Sequence, residues 1–196
     1  MEETREELAR LLALYRDGRL DEPEVVEAIE RLELGGRRGR ASLSPSSLVD
    51  TLDGFRAAEA SGAETLARWA ELSDDPALVG GLRTAAAREA RHAALLEERV
   101  RELGGKPRAI IPTWLAAYND GITDPEATDD ERLAALVERM PDVDAAIAPL
   151  VDVIDSIDDD ALTEEMLRAM CDDEVATLRW AHEAYAMRRD TDRRFD

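Results

Sequence analysis

Four segments of this chain carry apolar residues at helical spacing, and each sets one acid on its apolar stripe. Side chains recurring every three or four residues line one face of a helix, and that face has to be covered by another element. The first stripe runs Leu48, Leu52, Phe55, Gly62 and Leu66, with Glu59 falling on it. The second runs Leu78, Leu82, Ala85, Ala93, Leu96 and Val100, with Glu89 and His92 between. The third is Leu133, Val137, Met140, Ile147, Val151 and Ile154, interrupted by Asp144. The fourth is Leu167, Met170, Leu178, Ala181 and Tyr185, with Glu174 and Thr177 in the middle. Burying one lone ionised carboxylate costs several kcal/mol even after relaxation, so four of them need a common compensation.

Turn signals divide these segments into two hairpins. Ser47 caps a helix over about 48–73, and Asp74-Asp75-Pro76 turns the chain into a second helix over about 76–103 that stops at Gly104-Gly105. Residues 106–128 form a long connection with one short helix near Trp114–Tyr118. A third helix starts near Asp129–Asp130 and runs to about 157, with a kink or break expected from Pro141 and Pro149. Asp158-Asp159-Asp160 leads into a fourth helix over 161–188, and residues 189–196 are a polar tail. The whole reads as an all-α four-helix bundle over 47–188, two helical hairpins joined by one long crossover. Ahead of it, residues 1–34 read as a small helical hairpin and 35–46 as a Gly/Ser/Arg linker.

The registers place the acids together. Glu59 precedes the Asp74-Asp75 turn by 15 residues and Glu89 follows it by about as many, so the two carboxylates sit level in an antiparallel pair. Glu64, the rival on the first helix, lies off the stripe. The second hairpin repeats the spacing: Asp144 to Glu174 is 30 residues, as is Glu59 to Glu89. Glu89-Ala-Arg-His92 is a Glu-x-x-His on a helix, which puts both side chains on one face within reach of one metal. His182, eight residues beyond Glu174, is too far along its helix to join them.

With the levelled Glu59 and the second acid pair, this motif resembles the ferritin-like di-iron carboxylate superfamily. There, one Glu from each of two helices and a Glu-x-x-His from each of the other two hold two metals. The phrase Glu59-Ala-Ser…Trp69…Leu82-Arg-Thr-Ala-Ala-Ala-Arg-Glu89-Ala-Arg-His92 carries the likeness most closely. The resemblance implies a ferritin-like fold and a metal site made of Glu59, Glu89, His92, Asp144 and Glu174. Glu59 and His92 would serve the first metal, Glu89 and Glu174 would bridge, and Asp144 would be terminal on the second. Two iron ions, or manganese, are the implied cofactor, with iron oxidation or oxygen and peroxide chemistry as the activity. Two departures stand out: Thr177 occupies the place of the second histidine, and Asp144 is a methylene shorter than the usual glutamate. The missing second histidine and the appended N-terminal hairpin favour the alternative reading, a degenerate metal-free bundle serving as a structural or partner-binding module. A third reading, a substrate hydroxylase, requires a cavity beside the acids. In the N-terminal segment, Leu12…Gly18-Arg-Leu-Asp…Glu24…Ile29…Leu32 resembles the SHOCT module, a short helical hairpin suited to a protein partner.

Composition excludes other classes. With 45 acidic against 25 basic residues the formal charge is −20, a surface that repels phosphate backbones and anionic lipid. The single cysteine, Cys171, excludes an intramolecular disulfide and a Cys-based zinc cage. It reads as an inert core residue, and Trp69 and Trp180 read as packing residues. No apolar run approaches a membrane span, and no secretory leader is apparent, so a cytoplasmic location is expected. Association into a homo-oligomer is compatible with all of this.

Overall fold

The computed structural model describes residues 43–192. The expected N-terminal hairpin and nearly all of the linker lie outside them. Six helices follow in order: α1 Pro45–Leu72, α2 Pro76–Glu102, α3 Thr113–Ile122, α4 Asp129–Arg139, α5 Val143–Ile154 and α6 Ala161–Asp192. There is no strand among the described residues. The chain is all-α, as the stripes require.

Local chemistry accounts for the helix ends. Ser44, rather than Ser47, caps α1: its hydroxyl accepts from the Ser47 amide, and Pro45 takes the first helical position, where a missing N–H is harmless. Asp75 caps α2 by accepting from Ala77 and Leu78. At the far end Gly104 adopts φ +81, and the Gly105 amide donates back to the Val100 carbonyl, a glycine-dependent C-terminal lock. A full capping box between Thr128 and Glu131 starts α4. The Asp160 carboxylate accepts from the Thr163 amide at the start of α6. That last helix continues to Asp192, into what the sequence suggested was a polar tail.

The third arm of the bundle is broken, not kinked. Pro141 drives the residue before it out of the helical region, so α4 ends at Arg139 with Met140 at φ −127, ψ 64. The freed Met140 carbonyl accepts from His182 Nε2 at 2.8 Å. The chain then restarts as α5, with Asp142 accepting from the Asp144 and Ala145 amides. Pro149 lies inside α5 without ending it.

α1 and α2 form the most extensive pair, and α6 packs against α2, α4 and α5. Their buried residues separate into two apolar clusters. One holds Leu66, Trp69, Leu78, Leu82, Ile122 and Leu133, with Trp180 and Tyr185 of α6 against it. The other holds Leu48, Leu52, Leu96, Val100, Ile154, Leu167 and Met170. The chain numbers reveal what lies between: the α1 residues around 59, the α2 residues around 89–92 and the α6 residues around 173–174 belong to neither. A polar layer interrupts the core at mid-height.

Several buried polar groups tie the arms together. Asp53, 4% exposed, accepts from the amides of Arg108 and Ala109 and from Arg56 Nε, pinning the crossover onto α1. Arg132 donates to the carbonyls of Ile122 and Asp124 and so fastens α3 to α4. Arg99 on α2 reaches both Asp160 oxygens and the Thr163 hydroxyl at the head of α6. Trp69 donates its indole N–H to Asp129 at 2.7 Å, consistent with a packing role. None of the described helices is long and apolar enough to cross a membrane.

Candidate metal centre

The polar layer is built around His92, whose side chain is 2% exposed. Nδ1 of its ring lies 3.2 Å from Glu59 Oε2 and 3.4 Å from Glu174 Oε1. Nε2 lies 3.2 Å from Asp173 Oδ2. Three helices thus converge on one imidazole: α1 through Glu59, α2 through His92 itself, and α6 through Asp173 and Glu174. One ligand atom from each of Glu59, His92 and Glu174 falls within 4.8 Å of the others. That is the spacing of donors around a single ion.

Glu89 sits one helical turn before His92 on the same face, as its spacing predicts. Its carboxylate occupies room that only a glycine leaves free: a Cβ on Gly62 would come within 1.9 Å of Glu89 Oε2. Gly62 on the α1 stripe is therefore a seat for the acid of α2 and not a packing position. Glu64 is exposed, as expected of a residue off the stripe.

Without a metal the layer is balanced by protons. Burial pushes the Glu89 carboxyl up to about 9, and the negative charges of Glu174 and Glu59 add to the effect while His92 opposes it. Burial, together with the Glu174 charge, also raises Glu59 despite its hydrogen bond to His92. Burial pulls the other way on His92, but its hydrogen bonds to Glu174 and Glu59 win and carry the imidazole up to about 10. At neutral pH His92 is then an imidazolium and Glu89 a neutral acid.

Of the five residues singled out in the sequence, four meet here: Glu59, Glu89, His92 and Glu174. Asp144 does not. The break at Pro141 restarts the helix at Val143, so Asp144 is a first-turn residue of α5 and points to solvent, exposed. Its acid favours the helix N-terminus there and needs no partner in the core. Asp173 is a participant that the stripe pattern missed. It sits one residue before Glu174, about 100° round the helix, and only the second nitrogen of the His92 ring brings it in. Thr177, in the place of the second histidine, accepts a hydrogen bond from Arg88 Nη1 at 3.3 Å. The same guanidinium approaches Asp173 at 3.4 Å through Nε.

The donor set suits a hard, oxygen-loving transition ion. Carboxylate oxygens and one imidazole match Fe(II) or Mn(II), and the Asp173 carboxylate on Nε2 fixes the ring so that Nδ1 faces the ligand position. These residues fit one such ion well.

An all-α bundle with a carboxylate-and-histidine layer in its core defines the class. The family model for the ferritin-like domain matches residues 66–187, and the chain belongs to that family. The match takes in Glu89, His92 and Glu174; Glu59 lies just ahead of it. A 3-demethoxyubiquinol 3-hydroxylase of Chromobacterium violaceum is 34% identical over 103 residues, which cover 52% of this chain and 49% of that protein. The chain therefore spans about half the length of that relative. No solved structure matches it.

Proposed function

We propose that this ferritin-like protein binds iron or manganese in its mid-height layer and uses it for oxygen or peroxide chemistry, in its simplest form the oxidation of ferrous iron. The observation that carries the reading is the placing of buried His92 Nδ1 against two partly buried carboxylates from two other helices, with its second nitrogen held by Asp173. A redox-active ion there would supply electrons to dioxygen or peroxide. Glu59, His92 and Glu174 would hold it, Asp173 would orient the imidazole, and the Glu89 carboxyl would keep a proton beside the reacting oxygens. The apolar clusters on either side would limit water. The hydroxylase relative extends the reading to oxygen insertion into an organic substrate.

A second reading is favoured by one observation. Both ring nitrogens of His92 already have carboxylate partners within the chain, so a metal-free bundle acting as a structural or partner-binding module is chemically coherent. Anaerobic titration of the full chain with Fe(II), followed by air, separates the two. Saturable binding that is lost in His92→Ala and Glu59→Ala, with oxidation faster than in buffer, supports the metal protein. Absence of binding at neutral pH supports the module.

A further inference from the structure

We propose that the centre holds a single metal ion, and that Thr177, engaged by Arg88, closes the ligand position a second ion would use. The inference rests on the metal reading above and departs from the paired-metal pattern that the resemblance implies. That pattern supplies a second nitrogen ligand three residues after Glu174 and a terminal acid on the third arm. Position 177 is a threonine whose hydroxyl is already engaged by Arg88. The acid of the third arm, Asp144, is exposed at the head of α5. A second ion would be left with Glu89 and Glu174, without the nitrogen ligand and the terminal acid that the paired pattern supplies.

Charge argues the same way. Arg88 holds a planar guanidinium between α2 and α6 through Asp173 and Thr177. It places a fixed positive charge one hydrogen bond from the residue that would otherwise carry the missing nitrogen. The groups facing this region are accounted for: Glu59 and Glu174 meet His92 Nδ1, Asp173 is shared by His92 and Arg88, and Glu89 lies over Gly62. A fixed cation of the protein thus engages the residue that stands where the pattern has its second nitrogen ligand.

The test loads the full-length protein with Mn(II) alone, removes excess ion, and measures metal content together with the electron paramagnetic resonance spectrum. The wild type is expected to retain about one Mn(II) per chain with the hyperfine pattern of an isolated ion. The Arg88→Met, Thr177→His double variant, checked for helicity by circular dichroism, is expected to take up more than one and to show an exchange-coupled pair. Two ions in the wild type, or a coupled spectrum, overturn the single-ion assignment and leave the metal reading standing. No retained metal in the wild type overturns both. A double variant that still binds only one ion overturns the role given to Arg88 and Thr177.

Discussion

The contact between Gly62 and Glu89 makes a prediction whose size follows from the geometry. In Gly62→Ala the new Cβ falls 1.9 Å from Glu89 Oε2 and 3.0 Å from the carboxyl carbon. Ordinary contact is well over 3 Å, so the carboxyl has to move by more than an ångström. Alanine in mid-helix gains about 1 kcal/mol over glycine, while overpacking of this kind costs about 1–3 kcal/mol. The single variant should therefore be neutral to about 2 kcal/mol less stable. In a Glu89→Ala background the clash is gone, and the same substitution should stabilise by about 1 kcal/mol. The coupling between the two sites comes to about 1–3 kcal/mol. Urea unfolding of the four proteins in the presence of chelator, compared at constant m-value, reads it directly. Additivity to within about 0.5 kcal/mol would mean that Glu89 does not rest on Gly62, and the level pairing of α1 and α2 would be refuted.

Three further outcomes follow from the same layer and its supports. The metal-free protein should lose stability as pH rises from about 4.5 to about 10. Glu89, raised from 4.5 to about 9, and above about 6.5 also His92, raised from 6.5 to about 10, bind protons in the fold that the unfolded chain has released, so the slope is negative. Glu89→Gln should flatten that slope, and a flat wild-type profile contradicts the assignment. Asp53→Ala should cost about 2–4 kcal/mol by stranding two amides and a guanidinium. Burial alone would raise the Asp53 carboxyl, but the Arg108 amide and Arg56 outweigh it and hold it low. Its contribution is thus present above the ordinary carboxylate range and lost on acidification, and an unchanged urea midpoint for the variant at neutral pH would refute the anchor. Asp173→Asn should weaken Mn(II) binding about 10–100-fold with little change in thermal midpoint, since it removes the charge that orients His92; unaltered affinity would leave Asp173 without that role.

Much of the fold was legible because burial and periodicity are coupled. A stripe such as Leu78, Leu82, Leu96 and Val100 can belong only to a covered helix, and its ends carry their own signals in Asp75-Pro76 and Gly104-Gly105. The acids were legible for a related reason: Glu59, Glu89 and Glu174 sit on those stripes, where an uncompensated charge is too costly to keep. What periodicity cannot see is a change of phase. Pro141 was visible as a breaker, but the rotation of the restarted helix depends on where Asp142 caps it, and that decided the fate of Asp144. Ser44 was passed over as the first cap because Pro45 looks like linker until its fixed φ is set at a helix start.

Asp173 and Arg88 were illegible for a deeper reason, and it bears on how the layer works. Each is adjacent in sequence to a stripe residue, Glu174 and Glu89, and so falls on the margin of its helix, half-exposed. Residues there look like solvated charges in any one-dimensional pattern. They matter only because the imidazole has two nitrogens: Nδ1 faces the acids of the stripes, so Nε2 must face the margin, and an aspartate waits there. Arg88 then balances that aspartate and reaches Thr177. The centre is thus a chain of alternating charge running from a buried carboxylate to a half-exposed guanidinium, Glu59 to His92 to Asp173 to Arg88. A cation bound at the inner end would displace the His92 Nδ1 proton and leave the outer links in place. On the proposed reading the outer links would set the orientation of the ring ahead of an ion, and so belong to the site although no stripe contains them.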